Sequence, residues 1–143
     1  MYYVNHEQIG ERLNMIPVLS EAAERLAAEW EGDRPDLIRM LAQERVLHLS
    51  VELVTDVGSL LIDGFLMRDA SSYEDIVDIV YGEGVFAKEL YEPLQQLVRL
   101  RKPLVQEYAR AERDKLHPLT ARLPELLTEF GESVRRFIEK ELA

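Results

Sequence analysis

The stretch from Val46 to Met67 limits the fold more than any other part of the chain, because as a helix it is apolar on nearly every side. Such a helix must be enclosed, either at the centre of a bundle or against a second copy of the chain. Both roles are expected here. Asp33 reads as its N-cap, with Pro35 tolerated in the first turn, where amides lack intrahelical acceptors. From that start the helix is expected to run to about Met67. Asp56 and Asp63 break the apolar run short of the roughly 18 residues that a membrane span needs.

The flanking segments keep the helical period. Ile9, Leu13, Ile16, Leu19, Ala23, Leu26 and Trp30 recur at three- and four-residue spacing. Asn5 caps this first helix, with Gln8 three residues on and Val4 and Ile9 placed as a hydrophobic staple. Pro17 is expected to kink it and Gly32 to close it. Ser71 with Glu74, or Ser72 with Asp75, starts a short helix that stops near Gly82 and Gly84. Past Phe86, a stripe of Leu90, Leu94, Leu97, Arg101, Leu104 and Tyr108 follows, interrupted at Pro93 and Pro103. Pro103 either kinks that helix or sits at the N1 position of a new one. The last helix shows Leu119, Leu123, Leu126, Phe130, Val134 and Phe137 on one face. With no strand alternation, repeat or long linker, the expected architecture is all-α: an up-and-down bundle of four to five helices, one domain over residues 1–143, pairing as a homodimer.

Composition narrows the chemistry. Apolar residues make up 47% and charged residues 31%, the balance of a globular chain. The absence of cysteine excludes disulfides, thiolate catalysis and cysteine-based zinc sites. The first residues lack the basic and apolar regions of a signal peptide, so a cytoplasmic location without a membrane partner is expected. A net charge of −10 repels polyanions at long range. Nucleic-acid chemistry would therefore depend on a local basic patch, and the densest one is Arg99, Arg101 and Lys102 followed by Arg110, Arg113 and Lys115.

Polar residues inside apolar stripes mark candidate sites. The central helix carries Val46, Leu49, Leu53, Asp56, Leu60, Asp63 and Met67, and the later stripe answers with Arg101 and Tyr108. An unpaired buried charge costs several kcal/mol, so Arg101 is expected to meet Asp56 or Asp63 across the bundle. That pair would fix helix register or line an open site. Glu44, His48, Glu52 and Asp56 could suggest a metal stripe, but each four-residue step overshoots a turn by about 40°, so they do not converge and no metal is expected. Asp75 and Asp78 are spaced for magnesium, yet acid also suits a helix N-terminus. His6 and His117 read as surface residues. Gly58 and Gly64, inside the apolar helix, imply close helix approach, since no phosphate-loop pattern surrounds them.

The segment Leu100-Arg-Lys-Pro-Leu-Val-Gln-Glu-Tyr108 resembles the hallmark of HepT-like proteins of the HEPN superfamily: Arg, four residues, His, one residue, Tyr. The run from Asp56 to Ile76 is similar to the same family, especially its YutE-like subgroup from bacilli. The resemblance implies a homodimeric bundle with two motif copies facing a cleft, acting on RNA as a metal-independent, cofactor-free endoribonuclease of a toxin-antitoxin pair. Arg101 would stabilise charge on phosphorus, and Tyr108 would be the tyrosine to which a minimal nucleotidyltransferase antitoxin attaches AMP. Gln106 stands in the histidine position. Glutamine hydrogen-bonds a phosphate oxygen but has no pKa for proton transfer. The implied ribonuclease is thus expected to be weak or inactive, and the alternative is a non-catalytic homodimeric binding module of the same fold.

Overall fold

The computed structural model describes residues 1–32 and 36–143, and every regular element among them is helical. The helices are α1 (His6–Leu13), α2 (Ile16–Glu29), α3 (Leu37–Gly64), α4 (Tyr73–Gly82), α5 (Lys88–Arg99), α6 (Arg101–Val105) and α7 (Pro118–Glu141), with a 3-10 turn at Tyr108–Arg110 before α7. Short connections fold them into an up-and-down bundle, in which α3 touches α1, α2, α4, α5, α6 and α7.

The caps follow local chemistry. The Asn5 side chain accepts from the Gln8 amide at 3.0 Å, and Ser72 Oγ accepts from the Asp75 amide at 3.0 Å, so the second of the two expected starts for α4 is the one used. Asp75 also takes both terminal nitrogens of Arg68 at 2.7 Å, which holds its carboxyl well below the usual carboxylate range. Asp36 caps α3, accepting from the Ile38 amide. The expected cap at Asp33 and first-turn Pro35 lie outside the described residues. α3 ends at Gly64 rather than Met67, where Leu66 turns the chain with φ 56.

Two prolines set the breaks. Pro17 sits in the first turn of α2, and the chain divides just before it, with the Met15 amide turning back to the Arg12 carbonyl at 3.0 Å. Pro103 has no donor for the Arg99 carbonyl, and the Leu100 amide bonds Leu97 at 3.0 Å instead. The open alternative at Pro103 is thereby resolved. A break opens at Leu100 and a separate helix, α6, starts at Arg101, which puts Pro103 third in it rather than at the expected N1 position.

One apolar core runs through the molecule. The expected stripes of α1, α2 and α7 are buried, from Ile9 through Leu26 and from Leu119 through Phe137, with Trp30 partly covered at the edge. The middle of α3 is buried on most sides by its own chain, including Val51, Val57 and Leu61. Its apolar surplus is therefore largely used within one chain and does not by itself require a second copy. Exposed apolar surface on α3 lies earlier, at Leu37, Ile38 and Leu41.

Gly58 and Gly64 behave as close-approach positions. A Cβ on Gly58 would stand 2.4 Å from Ile76 Cγ2 on α4, and one on Gly64 would press the backbone of Tyr3 and Val4 at 3.2 Å. Gly58→Ala is expected to destabilise by up to about 2 kcal/mol, because an overpacking cost of about 1–3 kcal/mol is set against the roughly 1 kcal/mol gained in helix propensity. Adding Ile76→Ala removes the clashing methyl, so the double variant should lose less than the two single losses combined. Strict additivity in denaturant titrations would contradict this packing.

Candidate active site

The motif segment is presented by the broken helix α5–α6. Arg101 opens α6, and its guanidinium approaches α3 from the side. Its Nε donates to Glu52 Oε1 at 3.3 Å, and its carbon lies 3.9 Å from the centre of the Tyr73 ring. Glu52, one turn before Asp56, is the partner that sequence reasoning missed. Asp56 instead pairs with Arg12 on α1 at 3.5 Å, and Asp63 is exposed. The expected pairing of Arg101 with Asp56 or Asp63 is corrected accordingly. The kink at Leu100 decides which acidic turn of α3 lies opposite Arg101, and periodicity alone does not encode it.

The side chain of Arg101 is 24% exposed. Among the described residues, its two terminal nitrogens have no hydrogen-bond acceptor, which leaves donors for an anion. Arg101, Lys102 and Gln106 line a shallow groove together with Ser72, Tyr73, Glu74 and Arg99. Gln106 therefore shares this groove with Arg101. Tyr108 does not line this groove, because α6 ends at Val105 and the helical repeat that would return Tyr108 to the same side is lost. Tyr108 is 62% exposed and lies two residues beyond Gln106 in the chain.

The basic patch is only partly neutralised. Arg99 faces Glu74 and Glu92, and Arg113 forms an ion pair with Glu44. Lys102 and Arg110 are exposed and, among the described residues, carry no ion pair. Of the acidic stripe on α3, Glu44 goes to Arg113, Glu52 to Arg101 and Asp56 to Arg12, so these carboxylates face three different cations. Asp75 is bound by Arg68, while Asp78 accepts from Tyr91 and Gln95; this contact raises the Tyr91 hydroxyl pKa.

Gln43 holds the segment that follows the motif. It is 5% exposed on α3, donates from Nε2 to the Lys115 carbonyl at 3.0 Å, and accepts at Oε1 from the His117 amide at 2.8 Å and Thr120 Oγ1 at 2.7 Å. Its position three residues before Val46, in line with the buried face, is the signal that could have exposed it. His117 is likewise more than the surface residue expected: its Nδ1 caps α7, accepting from the Leu119 amide at 3.0 Å. Burial lowers its pKa below the ordinary value. A depressed histidine contributes its stability in full above about pH 6.5 and loses it as the pH falls through the folded-state value. His117→Asn keeps a capping oxygen without the titration and should flatten that part of the stability profile. Equal slopes for both proteins in urea titrations across about pH 5 to 8 would contradict the assignment.

A family model described as ribonuclease HepT-like matches residues 15–134. The chain belongs to the HepT-like family. A relative from Bacillus subtilis strain 168, named "Putative RNase YutE", is 33% identical over 142 residues, spanning 99% of this HepT-like chain and 95% of its own. The solved structure of YutE from Bacillus subtilis, described as a cytosolic protein of unknown function, superposes with a TM-score of 0.86 over 99% of this chain and 96% of that one, at 33% identity. A tri-AMPylated HEPN toxin of Shewanella oneidensis, solved in complex with an MNT antitoxin, shares the HepT-like fold with a TM-score of 0.64 at 13% identity, covering 94% and 96% of the two chains. No helix among the described residues is long and apolar enough to cross a membrane.

Proposed function

We propose that this HepT-like protein is a cytoplasmic, single-domain, toxin-type endoribonuclease, weakened by glutamine at the motif histidine position. The observation that carries the reading is the shared groove of Arg101 and Gln106, with the terminal donors of Arg101 open. Arg101 stabilises the charge that develops on phosphorus as the ribose 2′-hydroxyl attacks it, without a metal ion. Gln106 hydrogen-bonds a phosphate oxygen and moves no proton. Tyr108, exposed and two residues beyond Gln106 in the chain, is the acceptor for AMP from a nucleotidyltransferase antitoxin. The antitoxin complex of the Shewanella relative supports that kind of partner.

A homodimer fits this scheme. Ile38, 69% exposed, and Leu41 continue along α3 in steps of three and four through Arg45 and His48 to Glu52, so apolar surface adjoins the Arg101 cluster on one face. The second reading is a non-catalytic dimeric module. It is favoured by one observation, the ion pair of Arg101 with Glu52, which gives the arginine a structural use. Cleavage of single-stranded RNA by the purified protein, measured beside Arg101→Ala, separates the two. The ribonuclease reading requires cleavage, by this protein or by its Gln106→His variant, that disappears with Arg101, whereas the module yields none from any motif variant.

A further inference from the structure

Glu52 Oε1 is shared by two groups. Arg101 Nε lies 3.3 Å from it and His48 Nε2 lies 3.4 Å from it. A carboxylate of α3 thus sets an imidazole beside the guanidinium, and the imidazole side chain is 31% exposed. Nε2 is the ring nitrogen within ion-pair distance of Glu52, and among the described residues Nδ1 has no hydrogen-bond partner. A carboxylate beside an imidazole restricts how the ring turns.

We propose that His48 is the proton acceptor of this site, a role separate from the motif position that Gln106 occupies. The proposal rests on the ribonuclease reading. Cleavage needs two proton transfers. As the 2′-oxygen bonds to phosphorus its proton passes to His48 Nδ1. The bond from phosphorus to the 5′-oxygen breaks, and the leaving oxygen takes a proton from water. The products are a 2′,3′-cyclic phosphate and a 5′-hydroxyl, and the imidazolium returns its proton to solvent. Only the second transfer lacks a protein group, which is why the natural chain is slow rather than inert. Glu52 is a positioning residue for both His48 and Arg101.

The test uses the full-length protein and a labelled single-stranded RNA. His48→Gln should cleave about 10²-fold more slowly than the natural protein. Free imidazole should restore cleavage to His48→Ala, which a purely structural histidine would not allow. Introducing Gln106→His into His48→Gln should also raise its rate, showing that the fold survives. The proposal is overturned if His48→Gln matches the natural rate, or if imidazole leaves a folded His48→Ala unchanged. It is overturned as well if Gln106→His cleaves while the natural protein does not, an outcome that leaves the ribonuclease reading standing. Cleavage by none of these proteins removes both.

Discussion

Gln106→His is expected to raise the rate of RNA cleavage by about 10²- to 10⁴-fold, the range that a positioned acid-base group contributes. Gln106 already lines the groove with Arg101, so the new imidazole needs no rearrangement of the backbone to reach the same space. It lies at the C-terminal end of α6, with its amide bonded to the Lys102 carbonyl at 2.8 Å, and this anchor is independent of the side chain. The added ring supplies the proton that the 5′-oxygen otherwise draws from water. Arg101→Ala in the same background should remove the gain, because charge on phosphorus then loses its stabiliser. An unchanged rate in a folded Gln106→His protein would mean that the groove does not hold the scissile phosphate.

Gln43→Ala should destabilise the protein by about 3 kcal/mol, since it orphans the Lys115 carbonyl, the His117 amide and the Thr120 hydroxyl in a largely buried setting. For a chain of this size that corresponds to a fall in melting temperature of about 10 °C. The loss should be local as well as global. Amide exchange would accelerate in the segment from Ala111 to His117, which Gln43 ties to α3, and the Arg113 side chain, which donates to the Tyr108 carbonyl at 2.6 Å, would loosen with it. The motif tyrosine is thus held through Gln43 at second hand. A melting temperature within a degree or so of the natural protein would show that these three hydrogen bonds are replaced by water at little cost.

The legibility of this chain divides by the range of the interaction. Asn5 and Ser72 declare their helix starts because the capping side chain and the amide it serves are three residues apart. The stripes of α2 and α7 are legible for the same reason, as helical period alone places Leu19, Leu123 and Phe130 inside. Gly58 and Gly64 announce close contacts without naming Ile76 or the Tyr3 backbone as the neighbour. The site was read less completely. The motif names Arg101, Gln106 and Tyr108, but periodicity points to Asp56 and Asp63 rather than Glu52, because the angle introduced at Leu100 selects the turn of α3 that Arg101 meets. Tyr108 was placed in the Arg101 stripe by assuming a helix that ends at Val105. Gln43 carries no charge and sits in line with apolar neighbours, so periodicity alone does not distinguish it from the core.

The central claim is that Arg101 marks the phosphate site of a metal-independent ribonuclease, and end-group analysis of RNA cut in the presence of EDTA tests it most directly. Gln106→His should leave 2′,3′-cyclic phosphate and 5′-hydroxyl ends, at an undiminished rate with EDTA, and Gln106→His/Arg101→Ala should leave the RNA intact. Ends bearing 5′-phosphate, or cleavage that EDTA abolishes, would contradict the account.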